Sequence, residues 1–212
     1  SNLTIDLSTL PTHSFNLIQQ NIGLCSNLIS LTLIDVREKE LDLQDLPLIR
    51  VSLRNCSGKF TCSSDQVEYL KIVRCKFTND ILPCFPNVHT LEVVSSTLGD
   101  LNELKHLSSL VLRRVNHASL PSMTLSRLVC YKSTVTFTQD IKIDDWEVDK
   151  FSEVPQGVEC IHMRDVSHVE DGNAYTFTTS AGSSSVPKSR VRRIVRHGSP
   201  LVGKYAALYI EF

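Results

Sequence analysis

The sequence has little net charge, no long apolar run and no leader-like N-terminus. Its 22 basic and 23 acidic side chains give a formal net charge of −1, so whole-chain electrostatics favours neither nucleic acid nor an anionic membrane as a partner. No apolar stretch reaches the roughly 18 residues that a membrane-spanning helix requires, so we expect no membrane span. The chain does not open on a basic segment followed by an apolar one, so no signal peptide is visible in the given sequence.

Signatures of catalysis and of cofactor binding are also missing. The sequence contains no glycine-rich phosphate loop, which is the usual mark of nucleotide-binding enzymes. Its histidines are scattered, and no local motif joins one of them to a nucleophile. Cys160 and His162 alternate along one predicted strand, but that adjacency alone does not make a nucleophile and base. We therefore expect a protein that is not an enzyme and that uses no cofactor or metal.

The cysteines lack the close pairing of a zinc site or a disulfide framework. There are seven, an odd number, at positions 25, 56, 62, 75, 84, 130 and 160, and no Cys-x-x-Cys pair occurs. Scattered cysteines at apolar positions are usually reduced core residues. The sequence therefore predicts free thiols and a reducing compartment, the cytosol or the nucleus.

The sequence does contain a repeated apolar pattern. The motif begins at Leu28-x-x-Leu31-x-Leu33 and recurs from Leu48, Val67, Val88, Leu107 and Leu125, with a looser copy at Val158-x-x-Ile161-x-Met163. The first apolar positions of the six regular copies are separated by 20, 19, 21, 19 and 18 residues. Several copies at nearly constant spacing indicate a repeat architecture, which should be sought before any other fold.

The alternation inside each copy predicts a strand with one buried face. Apolar residues two apart lie on the same side of a strand, and a strand this short buries its face only by stacking on its neighbours. We predict parallel strands centred near residues 32, 52, 71, 92, 111, 129 and 162. One buried column should contain the second apolar residue of each copy, namely Leu31, Val51, Leu70, Leu91 and Leu110. Returns of this length predict extended or 3₁₀ segments rather than full helices.

The pattern resembles that of the leucine-rich-repeat family, L-x-x-L-x-L-x-x-N/C-x-L. The resemblance covers residues 24–136 well and residues 1–23 and 157–212 weakly. It implies a β-dominated α/β fold, a right-handed solenoid with a curved parallel sheet. The ninth motif position departs from the family because it is never Asn: Cys56 and Cys75 fill it as small buried residues, whereas Val36 and Val115 have no hydrogen-bonding side chain. We expect backbone or water to satisfy the turns at the two valines.

The two ends of the chain differ from the regular array. Leu3-x-Ile5-x-Leu7 predicts a preceding strand, and the apolar spacing over 13–22 predicts a helix that ends at Gly23. This longer first repeat resembles the repeats of F-box-type and ribonuclease-inhibitor-like solenoids. We therefore divide one continuous domain into a repeat array over 1–136 and, over 137–212, a degenerate repeat with an irregular C-terminal cap. Within the cap, serine content predicts a flexible loop at about 178–189, and residues 204–212 predict a last strand.

In this family, side chains between the buried strand positions face the concave side of the sheet and bind partners. Basic and tyrosine residues dominate those positions and the residue after each strand. The candidate site consists of Arg50, Arg54, Tyr69, Lys71, Arg74, Arg113, Arg114, Arg127, Tyr131, Lys132 and Arg164. Arg and Tyr often provide the binding energy of protein interfaces. The resemblance therefore implies a protein-binding module for an acidic partner, either as the substrate-recognition part of a larger adaptor or as a separate scaffold.

Two other functions stay open at the level of sequence. Nucleic-acid binding through the arginines and the basic segment 190–197 is one. That segment also alternates apolar and basic residues, as a half-exposed strand or solvated loop would. An extracellular recognition domain is the other, although the cysteine-rich caps of secreted family members are absent.

Overall fold

The structure is a computed structural model that divides into two compact units, Ser1–Leu107 and Ser108–Phe212. It describes residues 1–8, 21–43, 46–137, 141–148, 159–165, 168–171, 174–179, 182–187, 193–197 and 207–211. From residue 159 onward, and at 38–42, 63, 137 and 148, the description covers the backbone alone. We call the two parts the N-terminal unit and the C-terminal unit.

The N-terminal unit is built from two parallel sheets. Its strands are β1 (Asn2–Asp6), β2 (Ser30–Ile34), β3 (Arg37–Asp42), β4 (Arg50–Arg54), β5 (Ser57–Ser63), β6 (Tyr69–Val73), β7 (Lys76–Phe77) and β8 (Thr90–Val94). The main sheet has the order β1-β2-β4-β6-β8, and the second sheet has the order β3-β5-β7. From β2 onward, successive strands belong alternately to the main sheet and to the second sheet. Each turn of the chain therefore contributes one strand to the main sheet, as in a parallel β-solenoid.

The predicted buried column is confirmed in the N-terminal unit. Leu31 pairs in register with Val51, Val51 with Leu70 and Leu70 with Leu91. All four side chains are at most 1 % exposed. A second buried column, of Leu33, Leu53, Ile72 and Val93, runs parallel to it. The strand predicted around Leu3 and Ile5 is also present as β1, which pairs with β2.

The returns between main-sheet strands are extended or 3₁₀, as their length predicts. Besides β3, β5 and β7, two 3₁₀ helices occur at Leu82–Cys84 and Leu101–Glu103. Leu82 and Leu101 are each 1 % exposed, so the returns contribute to the core. The carboxylate of Asp80 joins successive returns, since it accepts hydrogen bonds from the backbone N–H of Leu82 (3.0 Å) and of Asp100 (2.9 Å).

The fold contains less helix than the α/β label implies. Within the described residues, helical conformation is limited to residues 21–22 and the two 3₁₀ segments, and both units are β-dominated. The helix predicted over 13–22 lies mostly outside the described residues, although residues 21–22 are helical and Gly23 begins a turn. Short repeats explain the small helical content, because a turn of 18–21 residues that contains two strands leaves little length for a helix.

A non-glycine residue with left-handed backbone follows each main-sheet strand in the regular repeats. In the N-terminal unit these residues are Asp35, Asn55, Arg74 and Ser95, with φ of 58°, 54°, 53° and 49°. The N–H of the first three donates to a carbonyl at the end of the next strand, for example from Asp35 to Arg54 O at 2.9 Å. This conformation bends the chain so that the following residue, the ninth of the motif, points into the core.

The ninth positions form a ladder of side-chain hydrogen bonds between turns. The Cys56 N–H donates to Cys75 Sγ (3.4 Å), and the Cys75 N–H donates to Ser96 Oγ (2.9 Å). In the C-terminal unit, the N–H of Val115 donates to Ser133 Oγ (3.1 Å). The expectation of backbone or water at Val115 was therefore wrong, because the ninth residue of the next turn supplies the acceptor.

We expect Ser133→Ala to destabilise the protein by about 1–3 kcal/mol, because it leaves the buried N–H of Val115 without its acceptor. Ser133 itself is 1 % exposed, so water cannot readily replace the hydroxyl. Urea titration followed by circular dichroism measures the loss. Ser133→Cys keeps an acceptor of the type that Cys75 provides and should lose less. The ladder contributes nothing if Ser133→Ala is as stable as Ser126→Ala, which alters an exposed serine of the preceding strand.

The C-terminal unit begins with further turns of the same kind. Its strands are β9 (Ser109–Arg113), β10 (Ala118–Leu120), β11 (Thr124–Tyr131), β12 (Val135–Phe137), β13 (Lys142–Val148), β14 (Glu159–Asp165), β15 (His168–Asp171), β16 (Ala174–Thr179), β17 (Gly182–Pro187), β18 (Arg193–His197) and β19 (Ala207–Glu211). Parallel strands β9, β11, β13 and β14 pair in that order. Strands β10 and β12 form a separate parallel pair.

The array extends beyond the predicted break, and the register of its last parallel strand differs from the prediction. Leu128 of β11 pairs with Trp146 of β13, so residues 142–148 form a repeat strand that the prediction did not include. Trp146 then pairs with Met163. The prediction placed Ile161 at this position, two residues too early. The omitted copy is present in the sequence as Ile143-x-x-Trp146-x-Val148, which begins 18 residues after Leu125 and has a tryptophan where the other copies have an aliphatic residue.

The final strands are antiparallel. Strand β14 pairs with β19, and β19 pairs with β18, which contains residues 193–197 of the basic segment. Over its described residues, 207–211, the last strand predicted for 204–212 is present as β19, and the described residues 193–197 of the basic segment form a strand. Residues 178–189 were predicted to be a loop, but β16 and β17 form an antiparallel pair there. The two strands form backbone hydrogen bonds with each other, which their serine-rich composition does not predict.

Candidate protein interaction surface

The main sheet of the N-terminal unit presents one face away from the buried columns. We call this the N-terminal face; its predicted site residues are Arg50, Arg54, Tyr69, Lys71 and Arg74. Register places Arg50 beside Tyr69 and Arg54 beside Val73. Arg50, Arg54 and Arg74 are exposed, whereas Tyr69 and Lys71 are half-buried. The structure therefore brings these five residues together on adjacent strands β4 and β6 and the turn that follows β6.

Glu92 of β8 neutralises part of this face. Its carboxylate forms a salt bridge with Lys71 (2.9 Å) and accepts a hydrogen bond from the Tyr69 hydroxyl (2.9 Å). Desolvation, together with the neighbouring Glu92 carboxylate, raises the pKa of Tyr69 to about 12. The phenol therefore stays protonated at physiological pH and remains a donor to Glu92. Lys71 and Tyr69 are thus partly engaged within the protein, which sequence position alone does not reveal.

The arginines of the N-terminal face make no salt bridge within the described part of the chain. The Arg50 guanidinium lies 5.9 Å from the centre of the Tyr69 ring, which is cation–π distance. Arg54 lies in register between Ile34 and Val73, two half-exposed apolar side chains. Arg74 is the left-handed residue after β6. Three guanidinium groups therefore remain available to an external anion.

The C-terminal unit has a corresponding face on β9, β11 and β13, which we call the C-terminal face. The Arg113 guanidinium lies 4.7 Å from the centre of the Tyr131 ring. Glu147 accepts a hydrogen bond from the Tyr131 hydroxyl and lies 3.8 Å from Arg127. Val129, predicted to be an exposed face residue, is only 1 % exposed. The aromatic and charged groups around Val129 therefore form the surface of this face.

The remaining predicted site residues occupy the margins of the C-terminal face. Arg114 and Lys132 are exposed, and both have left-handed backbone, with φ of 54° and 49°. Arg164 pairs in backbone register with Glu147. Only the backbone of Arg164 is described. Because the register of β14 is shifted, Arg164 occupies the column of Val129 and Glu147 and not that of Tyr131.

Two glutamates organise these faces, and the predicted binding residues included neither. Glu92 and Glu147 each accept a hydrogen bond from a tyrosine and lie within ion-pair distance of a basic residue. The repeat pattern places Glu92 on the predicted face as an acidic interruption, and the register aligns it with Lys71 on the neighbouring strand, but this pairing was not predicted. For Glu147 the signal was the omitted copy Ile143-x-x-Trp146-x-Val148, whose register places Glu147 beside Val129.

No family model, curated protein or solved structure matches this chain. Within the described residues, no group of three or more His, Cys, Asp or Glu side chains converges as metal ligands do. None of the helices in that same part of the chain has the length and apolar character needed to cross a membrane. The candidate surface therefore rests on the geometry of this chain alone.

Proposed function

We propose that this chain is a non-catalytic protein-binding module that recognises an acidic protein surface through its exposed sheet faces. The observation that carries the proposal is the set of exposed arginines without a salt bridge among the described residues. On the N-terminal face these are Arg50, Arg54 and Arg74, and on the C-terminal face they are Arg113 and Arg114. Parallel β-strands that recur every 18–21 residues in the regular copies provide a rigid surface for such contacts.

Folding does not explain why arginine occupies positions 74 and 114. Left-handed backbone costs a non-glycine residue about 1 kcal/mol or more, and Asn or Gly tolerates it best. Asp35 and Asn55 fit this preference at the equivalent turns, whereas Arg74 and Arg114 do not. Neither arginine forms an ion pair within the described residues that would offset the cost. A role in binding would explain the arginines at these two positions, whereas a role in stability does not.

The tyrosines support binding by holding arginines in place. Arg50 and Arg113 each stack on a tyrosine, and each tyrosine donates a hydrogen bond to a glutamate. A guanidinium ordered before binding loses less conformational entropy when it meets a carboxylate. Ile34 and Val73 flank Arg54 in register, and apolar neighbours suit a protein surface better than a phosphate backbone.

Charge reversal tests each face separately. We expect Arg54→Glu with Arg74→Glu, and Arg113→Glu with Arg114→Glu, each to reduce capture of acidic proteins from a nuclease-treated lysate. A reduction of about tenfold or more is expected, since truncating a desolvated charged contact costs a few kcal/mol. The measurement is quantitative mass spectrometry of captured proteins. Thermal melts should first show that each variant is folded.

A matched control changes the same charge outside the faces. Lys59→Glu with Lys76→Glu alters two exposed residues of the second sheet, on β5 and β7, and should leave capture unchanged. Equal losses from this control and from the two face variants would reject a specific site. Loss of captured RNA or DNA in parallel samples without nuclease, with no change in captured protein, would favour the nucleic-acid function instead.

The same proposal includes the type of solenoid, its location in the cell and its role. We propose that the solenoid is of the leucine-rich-repeat type and acts in the cytosol or nucleus, as substrate recognition in a larger adaptor. The repeat spacing and the small buried residues at the ninth position, among them Cys56, Cys75 and Ser133, support it. The six cysteines whose side chains are described are free thiols, which is compatible with a reducing compartment.

A further inference from the structure

Two cysteines meet on the return side of the N-terminal unit, away from the exposed sheet face. Cys62 lies in β5, and Cys84 is the last residue of the 3₁₀ helix Leu82–Cys84. Their thiols are hydrogen-bonded to each other, and both residues are partly exposed. The cysteine spacing does not predict this contact, because 22 positions separate the two residues along the chain.

Hydrogen bonds on both sides of Cys62 fix the two cysteines opposite each other. On one side, the Asn79 side chain accepts from the Phe60 N–H (2.9 Å) and donates to the Phe60 carbonyl (2.7 Å). On the other side, the Ser64 N–H donates to the Cys84 carbonyl (3.1 Å). Residues 60 and 64 are thereby tied to residues 79 and 84. Cys62 lies midway between these two attachments, which hold its strand against the segment that ends at Cys84.

The pair differs chemically from the other cysteine pair of this unit. Cys56 and Cys75 also lie in adjacent turns, but each is 1 % exposed, so a soluble oxidant has little access to them. The hydrogen bond from the Cys62 thiol, helped by the Cys62 N–H, lowers the pKa of Cys84 to about 6, although burial and the Asp80 carboxylate oppose this shift. The same contact raises the pKa of Cys62. The lowered pKa of Cys84 favours its thiolate, the form that reacts with peroxides.

We propose that Cys62 and Cys84 are a site of reversible oxidation, at which a hydroperoxide converts the pair to a disulfide. The Cys84 thiolate attacks a peroxide oxygen, the O–O bond breaks, and Cys84 becomes a sulfenic acid while the departing hydroxide or alkoxide takes up a proton. The Cys62 sulfur then attacks the sulfenic sulfur, and the S–O bond breaks. The displaced hydroxide leaves as water with the proton of the Cys62 thiol. With hydrogen peroxide, two thiols are oxidised by two electrons and the peroxide is reduced to two waters.

Peptide mapping under non-reducing conditions tests the site. The folded full chain is treated with hydrogen peroxide, its remaining thiols are alkylated in denaturant, and its peptides are analysed by mass spectrometry. We expect a Cys62–Cys84 crosslink that dithiothreitol reverses, with Cys56 and Cys75 still reduced. In Cys62→Ser we expect Cys84 to accumulate as a sulfenic acid that dimedone labels, and in Cys84→Ser we expect no crosslink at Cys62. Alkylation of Cys84 in the untreated protein should slow markedly as the pH falls below about 6, because the thiolate becomes protonated.

Two results would overturn the proposal. One is oxidation of the exposed Cys25 without a Cys62–Cys84 crosslink, because Cys25 reports that the peroxide dose was sufficient. The other is a crosslink that forms as readily in urea-unfolded protein as in folded protein, since the folded geometry would then contribute nothing. Both comparisons use the wild-type chain and do not depend on the folding of either serine variant.

Discussion

Replacing Leu70 with alanine is expected to lower the free energy of unfolding by about 2–5 kcal/mol. The Leu70 side chain is 0 % exposed and lies in register between Val51 and Leu91. Backbone hydrogen bonds hold these strands at fixed spacing, about 4.8 Å apart, so the neighbours cannot close over the missing atoms. The lost transfer energy and the remaining cavity therefore both reduce stability. Urea titration followed by far-ultraviolet circular dichroism measures the change.

Leu24→Ala is the matched control for this prediction. Leu24 belongs to the same unit and is 78 % exposed, so the same substitution there should change stability by no more than about 0.5 kcal/mol. Leu70→Met, which nearly conserves volume, should cost less than about 1.5 kcal/mol. If Leu70→Ala proves as stable as Leu24→Ala, the buried column is not a principal source of stability.

Replacing Trp146 with alanine is expected to be at least as damaging, at about 3–5 kcal/mol. Trp146 is 1 % exposed and is among the largest fully buried side chains of the described residues. Its strand lies between β11 and β14, with Leu128 and Met163 as its register partners. An alanine side chain leaves most of the volume of the indole empty. The substitution should therefore lower the urea concentration at the midpoint of unfolding, measured by circular dichroism.

Two further variants of β13 separate loss of volume from disturbance of the strand. Asp144→Ala alters an exposed residue of the same strand and should change the free energy of unfolding by about 0.5 kcal/mol or less. Trp146→Phe keeps an aromatic ring and should lose less than Trp146→Ala. An alanine variant of Trp146 that loses under 1 kcal/mol would show that β13 does not belong to the core.

The regular repeats were predictable because one rule applied in every turn. Leu31, Val51, Leu70 and Leu91 were expected to align, and their pairing in register confirms it. A strand slipped by one residue would turn its entire apolar set toward water. The apolar alternation therefore determines register as well as strand position, without knowledge of the rest of the chain.

The pattern failed where side chains other than aliphatic ones fill the core. Trp146 takes the place of the second leucine of the motif in Ile143-x-x-Trp146-x-Val148, so the prediction, which followed aliphatic residues, omitted this copy and misplaced the register of β14 by two residues. The serine-rich residues 182–187 form a strand because β16 pairs with them along their length. Such pairing depends on a distant partner, which local composition cannot report.

The sequence by itself determined the repeat period, the buried columns of the regular turns and the basic character of the exposed faces, because each depends on residues at fixed spacing along one strand. Only the tertiary structure decided which charges are neutralised and which thiols meet. Glu92 lies 21 residues from Lys71 and forms a salt bridge with it, and Cys62 contacts Cys84 through an irregular return. The salt bridge follows the repeat register but depends on side-chain direction, and the cysteine contact depends on the path of a return that does not follow the repeat. Both contacts arise only when successive turns stack.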